Sequence, residues 1–210
     1  MRVVGLTGGI GMGKSTIVKL FRQARIPVFD SDAAVHRLQA KGGAALPAIA
    51  AAFPGTVTFD GQDGGTLDRA ALRAAVLTDP ARLRVLEALI HPMVRAAQRR
   101  FLARARASGA AIAVMDIPLL FETGADRLMD EVIVVSAPRA TQLARVRRRR
   151  RMQDAEITRI IALQMPDAEK RRRADMVIRT GLSRHHALRQ FRRWMAGSGS
   201  VLKTRTKTHR

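Results

Sequence analysis

The sequence predicts an α/β fold with a doubly wound, parallel five-stranded sheet, and three observations carry that expectation. Short, continuous apolar runs recur along the chain, segments of helical period separate them, and glycines or carboxylates close several of the runs. Apolar runs without alternation are the pattern of strands buried on both faces, and the intervening helices supply the crossovers that parallel pairing needs.

The elements follow in order. Arg2 to Leu6 is an apolar run ending in a glycine-rich turn, and Ser15 to Ala24 then sets Val18 and Phe21 at helical spacing. Ile26 to Asp32, "IPVFDSD", is a second short strand with carboxylates at its end. Asp68 to Ala107 is helical throughout, with Leu72, Val76, Leu83, Leu86 and Ile90 among its apolar positions and with Pro80 and Pro92 at two expected helix starts. Gly109 to Glu122, "GAAIAVMDIPLLFE", gives a third strand stopped by Asp116 and Pro118. Asp130 to Pro138 gives a fourth, and Ala174 to Ile178 a short fifth. One domain is expected over 1–196; residues 197–210, small and basic with no apolar period, are expected to form a disordered tail.

Composition narrows the classes. No run of about 18 apolar residues occurs and the N-terminus lacks the apolar core of a secretory signal, so the expectation is a cytoplasmic protein without a membrane partner. The absence of cysteine excludes disulfides and thiolate-held metals. A net charge of +21 favours polyanions, whether nucleic acid, membrane surface or phosphorylated small molecules, and does not choose among them.

The loop after the first strand makes the choice. "GGIGMGKS" fits G-x-x-x-x-G-K-[ST] with Gly8, Gly13, Lys14 and Ser15 at the fixed positions, between an expected strand and an expected helix. Glycines let backbone N–H groups close around phosphate oxygens, and the following helix N-terminus adds its partial positive charge. Gly9, Gly11, Met12, Gly13, Lys14, Ser15 and Thr16 are therefore the expected nucleotide contacts. Lys14 is placed at the β and γ phosphates and the Ser15 hydroxyl at Mg²⁺. A mere strand-to-helix turn needs neither the lysine nor the hydroxyl.

Ligands in such sheets lie beyond the carboxyl ends of the strands, so Asp30, Asp32 and Asp116 are candidates to meet the phosphates. One of them can accept a proton from an attacking hydroxyl or hold Mg²⁺. The alternation in "DSD" puts Asp30 and Asp32 on one face if the strand continues. Asp30 can equally cap the helix that follows. His91, just before Pro92, reads on its own as a structural cap.

Together these pieces resemble the dephospho-coenzyme A kinase family. The resemblance is carried by "GLTGGIGMGKST" (5–16), "DSD" (30–32), "LDRAALR" (67–73), "LIHPMV" (89–94), "DIPLLFE" (116–122), "TQLARV" (141–146) and "QMPDAEKRRRADMVI" (164–178). It implies a P-loop kinase that moves the γ-phosphoryl of ATP, with Mg²⁺, to the 3′-hydroxyl of dephospho-coenzyme A. It also implies a helical coenzyme A-binding region at about 33–108 and a lid at about 139–162. By resemblance Asp32 is the general base, Arg145 stabilises the transferring phosphate, and Arg149 contacts the nucleotide. Arg69, His91 and Pro118 fall in the substrate motifs. A single arginine followed by a turn is the usual lid pattern, whereas this chain runs Arg147 to Arg151. Arg147, Arg148, Arg150 and Arg151 are assigned mainly to solvated, steering charge. Arg179 stands where the family often has asparagine and is expected to alter the adenine pocket.

Two rivals are weaker. A nucleoside monophosphate kinase would lack "IHP" and "DIPLLFE". A nucleic-acid binder would need a stacking platform, yet aromatics are 4% of the chain, tyrosine is absent, and none lies within 139–173, where 12 basic and 4 acidic residues stand. Specific nucleic-acid binding is therefore not expected, and the protein is read as a monomer or weak homo-oligomer.

Overall fold

The computed structural model describes residues 1–59, 61, 64–77, 79–150 and 154–200. In chain order the elements are β1 (Arg2–Thr7), α1 (Lys14–Gln23), β2 (Val28–Asp30), α2 (Ser31–Leu38), α3 (Leu46–Ala52), β3 (Val57–Thr58), β4 (Thr66–Leu67), α4 (Arg69–Leu77) and α5 (Pro80–Ala107). They continue with β5 (Ile112–Asp116), β6 (Glu131–Ser136), α6 (Arg139–Arg150), α7 (Asp154–Ala162), α8 (Asp167–Arg173), β7 (Met176–Arg179) and α9 (Arg184–Ser200). The chain forms two compact units: Met1–Val28 with the chain from Ala110 onward, and Phe29–Gly109.

The five-stranded sheet is ordered β2-β5-β1-β6-β7, and its strands β5, β1, β6 and β7 lie in the first unit. β1 is parallel to β5 and β6, in registers such as Val4↔Val114 and Leu6↔Ile133, and β6 is parallel to β7. One face carries Val4, Leu6, Val114, Ile133, Val135 and Ile178, covered by Ile17, Val18 and Phe21 of α1 and Ala187, Phe191 and Trp194 of α9. Phe21 meets Phe191 and Trp194 edge-on, with centroids 5.0 and 5.5 Å apart, the arrangement the ring quadrupoles favour. On the other face a Cβ placed on Gly5 would stand 2.9 Å from both Leu120 and Met129, so that face is covered as well. Burial on both sides is why the strand sequences lack alternation.

The second unit is helical, with the small β3–β4 antiparallel hairpin. Ile49, Phe53, Leu72 and Ile90 form its core, with Leu86, Leu89 and Met93 of α5 packed against them.

Three expectations are corrected and one is met. β2 stops at Asp30, whose side chain accepts from the Ala33 N–H at 2.8 Å and caps α2, so Asp32 lies in the first turn of a helix and not on the strand face of Asp30. The helix start expected at Pro80 is where α5 begins, with Asp79 capping it through the Ala81 N–H at 2.8 Å. Pro92 starts no helix and sits inside α5. Its fixed φ suits the helix, the cost is one lost bond to the Ala88 carbonyl, and Ala88 is exposed, so water can take that place. Lastly, α9 runs to Ser200, four residues into the segment expected to be disordered; 201–210 lie outside the described residues.

Candidate active site

The loop between β1 and α1 takes the conformation its glycines allow. Gly11 (φ +75°) and Gly13 (φ +92°) are left-handed, and Gly13 is the residue before α1. Space is as restrictive as the torsions. A Cβ on Gly11 would lie 2.7 Å from Val146 Cγ2 and 2.8 Å from the Gln142 carbonyl oxygen, and one on Gly13 would lie 2.8 Å from Thr180 Oγ1. These two positions require glycine because α6 and the end of β7 press on the loop.

Three side chains hold successive loop carbonyls from outside. Gln142 Nε2 donates to the Ile10 oxygen at 2.8 Å, Arg145 Nη1 to the Gly11 oxygen at 3.4 Å, and Thr180 Oγ1 to the Met12 oxygen at 2.5 Å. In a trans peptide the N–H points opposite to its carbonyl. Pinning the Ile10 and Met12 carbonyls outward therefore turns the Gly11 and Gly13 N–H groups to the other side, the side a phosphate would occupy. The Met12 side chain is buried, and its sulfur accepts from the Ala137 N–H at 3.1 Å. Ser15 and Thr16 lie in the first turn of α1, where the helix dipole favours an anion.

Lys14 leaves the first turn of α1 to form an ion pair with Asp116 at the end of β5. Asp116 is 5% exposed, so this carboxylate depends on a cationic partner. Thr7 Oγ1, at the end of β1, donates to the Pro118 carbonyl at 2.9 Å and fixes the start of the "IPLLFE" segment. That segment is tied to α8. The fully buried ammonium of Lys170 pairs with Glu122 at 2.8 Å, and the Arg173 guanidinium lies 4.5 Å above the Phe121 ring while bonding Asp126 at 2.9 Å. Burial alone would raise the Glu122 carboxyl, but the Lys170 ammonium and the Met165 N–H overcome it and hold the group below its ordinary value.

Arg145 is committed to the loop. Beyond Gly11 it gives Nη1 to Thr180 Oγ1 at 3.0 Å and Nη2 to the Thr180 carbonyl at 2.7 Å. Arg147, assigned from sequence to solvated charge, is exposed and also forms a two-pronged pair with Asp154, both bonds 2.6 Å, linking α6 to α7. The Asp154 carboxyl is lowered and the Arg147 guanidinium raised by this hydrogen bond. The Arg149 side chain and residues 151–153 lie outside the described residues. Arg179 faces α8, lining a cavity with Ala168, Arg171, Arg172 and Val177, while its backbone N–H donates to Gln190 at 3.1 Å. The neighbouring Thr180, not Arg179, reaches the loop.

In the helical unit Asp32, Arg69 and His91 are exposed, on α2, α4 and α5 respectively. Arg69 Nη2 lies 3.5 Å from His36 Nδ1.

The family model described as dephospho-CoA kinase matches residues 2–184. The chain belongs to the dephospho-CoA kinase family. A dephospho-CoA kinase of Gluconobacter oxydans is 52% identical over 194 residues, covering 90% of this chain and 94% of that one. One of Mesorhizobium japonicum is 54% identical over 181 residues, covering 86% and 88%. A solved protein of Thermus thermophilus superposes with a TM-score of 0.80 at 34% identity, covering 93% of this chain and 97% of its own. The fold is that of the P-loop kinases, and family membership makes the protein an ATP-dependent phosphotransferase.

Sequence reasoning left Thr180, Gln142 and Gln164 without a role of their own, and named Asp116 as a candidate without pairing it to Lys14. A signal for Gln142 existed. It shares a helix face with Val146, and an amide on a buried stripe must find a partner.

Proposed function

We propose that the protein transfers the γ-phosphoryl group of ATP to the 3′-hydroxyl of dephospho-coenzyme A, giving coenzyme A and ADP. The observation that carries this reading is the phosphate loop, with its pinned carbonyls, Lys14 and Ser15, in a chain of this family. Backbone N–H groups of the loop and Lys14 hold the phosphates; to do so Lys14 exchanges part of its contact with Asp116 for phosphate oxygens.

Mg²⁺ fits the donor set. The Ser15 hydroxyl in the first turn of α1 and the Asp116 carboxylate at the end of β5 are hard oxygen donors, the kind of which this ion takes one or two while phosphates and water complete its shell. Ser15 and Asp116 would supply those oxygens, and the ion would neutralise charge on the β and γ phosphates. Asp32, exposed at the start of α2, accepts the proton of the ribose hydroxyl as general base. Arg145 stabilises the transferring group by trading its Thr180 bonds for phosphate oxygens, and Arg149 binds the nucleotide on the same helix. Arg69, His91 and Pro118 serve the acceptor, the helical region 33–108 binds the coenzyme A moiety, and 139–162 acts as a lid that excludes competing water. The enzyme works in the cytoplasm as a monomer or weak homo-oligomer, without specific nucleic-acid or membrane partners. Among the described residues no helix is long and apolar enough to cross a membrane.

The test is ADP release measured with dephospho-coenzyme A against a panel of nucleoside monophosphates. Turnover with dephospho-coenzyme A alone is expected, and preference for a monophosphate would overturn the reading.

A further inference from the structure

Two glutamines grip one residue of the phosphate loop from opposite sides. Gln164 Oε1 accepts from the Ile10 N–H at 3.1 Å, and Gln142 Nε2 donates to the Ile10 carbonyl at 2.8 Å. Gln142 lies in the first turns of α6 and is 3% exposed; Gln164 lies just beyond the end of α7. The clamp therefore joins both roots of the α6–α7 segment to a single residue. A Cβ on Gly9 would stand 3.2 Å from Gln164 Oε1 and 3.5 Å from Gln142 Nε2, so the loop is bare where the amides close over it. Arg139 Nη1 donates to Gln142 Oε1 at 3.3 Å, which orients the Gln142 amide with its NH₂ toward Ile10.

Ile10's N–H and carbonyl belong to two different peptide planes, so holding both fixes φ and ψ of Ile10. The next peptide N–H is that of Gly11, turned away from the pinned carbonyl. An apolar side chain would fill the Gln142 position without the cost of burying an amide, and such an amide is retained where its hydrogen bonds matter.

We propose that Gln142 and Gln164 are positioning residues for the nucleotide: together they hold Ile10 so that the Gly11 and Gly13 N–H groups keep their phosphate-binding arrangement before ATP arrives. The clamp makes that arrangement depend on where α6 and the end of α7 stand. It rests on reading the loop as the ATP phosphate site, as set out above.

Isosteric glutamates separate this role from packing, because the two glutamines use opposite ends of their amides. Gln164→Glu keeps an acceptor for the Ile10 N–H, and its ATP affinity is expected to stay within about twofold of the parent. Gln142→Glu loses the donor and sets a carboxylate oxygen against the Ile10 carbonyl, and its ATP Kd is expected to rise about tenfold at about pH 8. Gln142→Met should lose affinity to a similar degree. The KM for dephospho-coenzyme A should move less than the KM for ATP in each case.

Calorimetric titration with ATP alone reads affinity without the acceptor, so a parent enzyme inactive on dephospho-coenzyme A would sink the proposed reaction and leave the clamp test intact. Parent-like ATP binding by Gln142→Glu, or equal losses in both glutamates, would overturn the clamp. If Gln142→Glu does not fold, Gln164→Met set against Gln164→Glu asks the same question from the acceptor side. Loss in the methionine variant alone supports the clamp, and no difference refutes it.

Discussion

Around the phosphate loop, Lys14 is paired with Asp116, the Ile10, Gly11 and Met12 carbonyls are each held by a side chain, and Glu122 is tied to Lys170. In the helical unit Asp32, Arg69 and His91 stand exposed on three different helices, and Arg69 meets His36 at 3.5 Å. The contrast follows from what each set has to do. A phosphate held by backbone N–H groups needs a loop kept in left-handed, crowded conformations, and side chains from outside must keep it there. Residues that meet a ligand with their own tips need a helix to stand on and room around them.

The contrast is tested hardest at Lys14. Lys14→Ala removes the charge aimed at the phosphates and leaves the buried Asp116 without its ammonium. A loss on the order of 10²–10³ in kcat/KM is expected, with weakened ATP binding, measured by steady-state kinetics beside a thermal melt. Near-normal kinetics would show that the tightly held set is structural only.

Asp32→Asn probes the exposed set. The carboxylate is at the surface, so stability should be unchanged, and ATP affinity should be unchanged too. A fall in kcat of about 10²-fold or more is expected from loss of a general base. Equal losses in ATP affinity and kcat would assign Asp32 to nucleotide binding and remove the base role.

Glu122 belongs to the tightly held set but touches no proposed substrate. Glu122→Gln leaves the buried Lys170 ammonium without its counter-charge, and a destabilisation of about 1–2 kcal/mol is expected, less than for a fully buried pair because the Glu122 end reaches solvent. The sign of the pH effect follows from the lowered carboxyl. The parent has the full contribution of this pair above the ordinary Glu value of 4.5 and loses it as the pH falls through the lower folded value, whereas Glu122→Gln should lack that component of acid sensitivity. Denaturant midpoints at neutral and acid pH check both statements.

These two regions were also unequally legible. The strand, loop and helix around Gly8 to Ser15 could be read because the chemistry is local and glycine spacing records it. The five-stranded parallel sheet could be read because burial on both faces erases alternation. The contacts that hold the loop could not, since Gln142, Gln164 and Thr180 lie 132 to 168 residues along the chain from the residues they grip. Pro92 was misread for a different reason: a proline marks a helix start only when the preceding turn cannot continue, and here an exposed carbonyl lets it continue. Arg147 looked like surplus charge because its partner, Asp154, lies beyond the arginine run.

The smallest effect is expected within "DSD", where the proposed function gives the proton to Asp32 and the structure gives the helix cap to Asp30. Asp30 is the helix cap: its carboxylate takes the Ala33 N–H at 2.8 Å, so Asp30→Ala should cost about 1 kcal/mol of stability. Asparagine presents the same oxygen, so Asp30→Asn should recover most of that loss. Because the cap fixes the turn that carries Asp32, Asp30→Ala should lower kcat only a few-fold, far less than Asp32→Asn, and should leave the pH profile of kcat in place. A base role for Asp30 would show the reverse: Asp30→Asn would keep the stability and lose the turnover. Measuring melts and pH–rate profiles of the three variants side by side therefore decides which aspartate holds the helix and which one takes the proton.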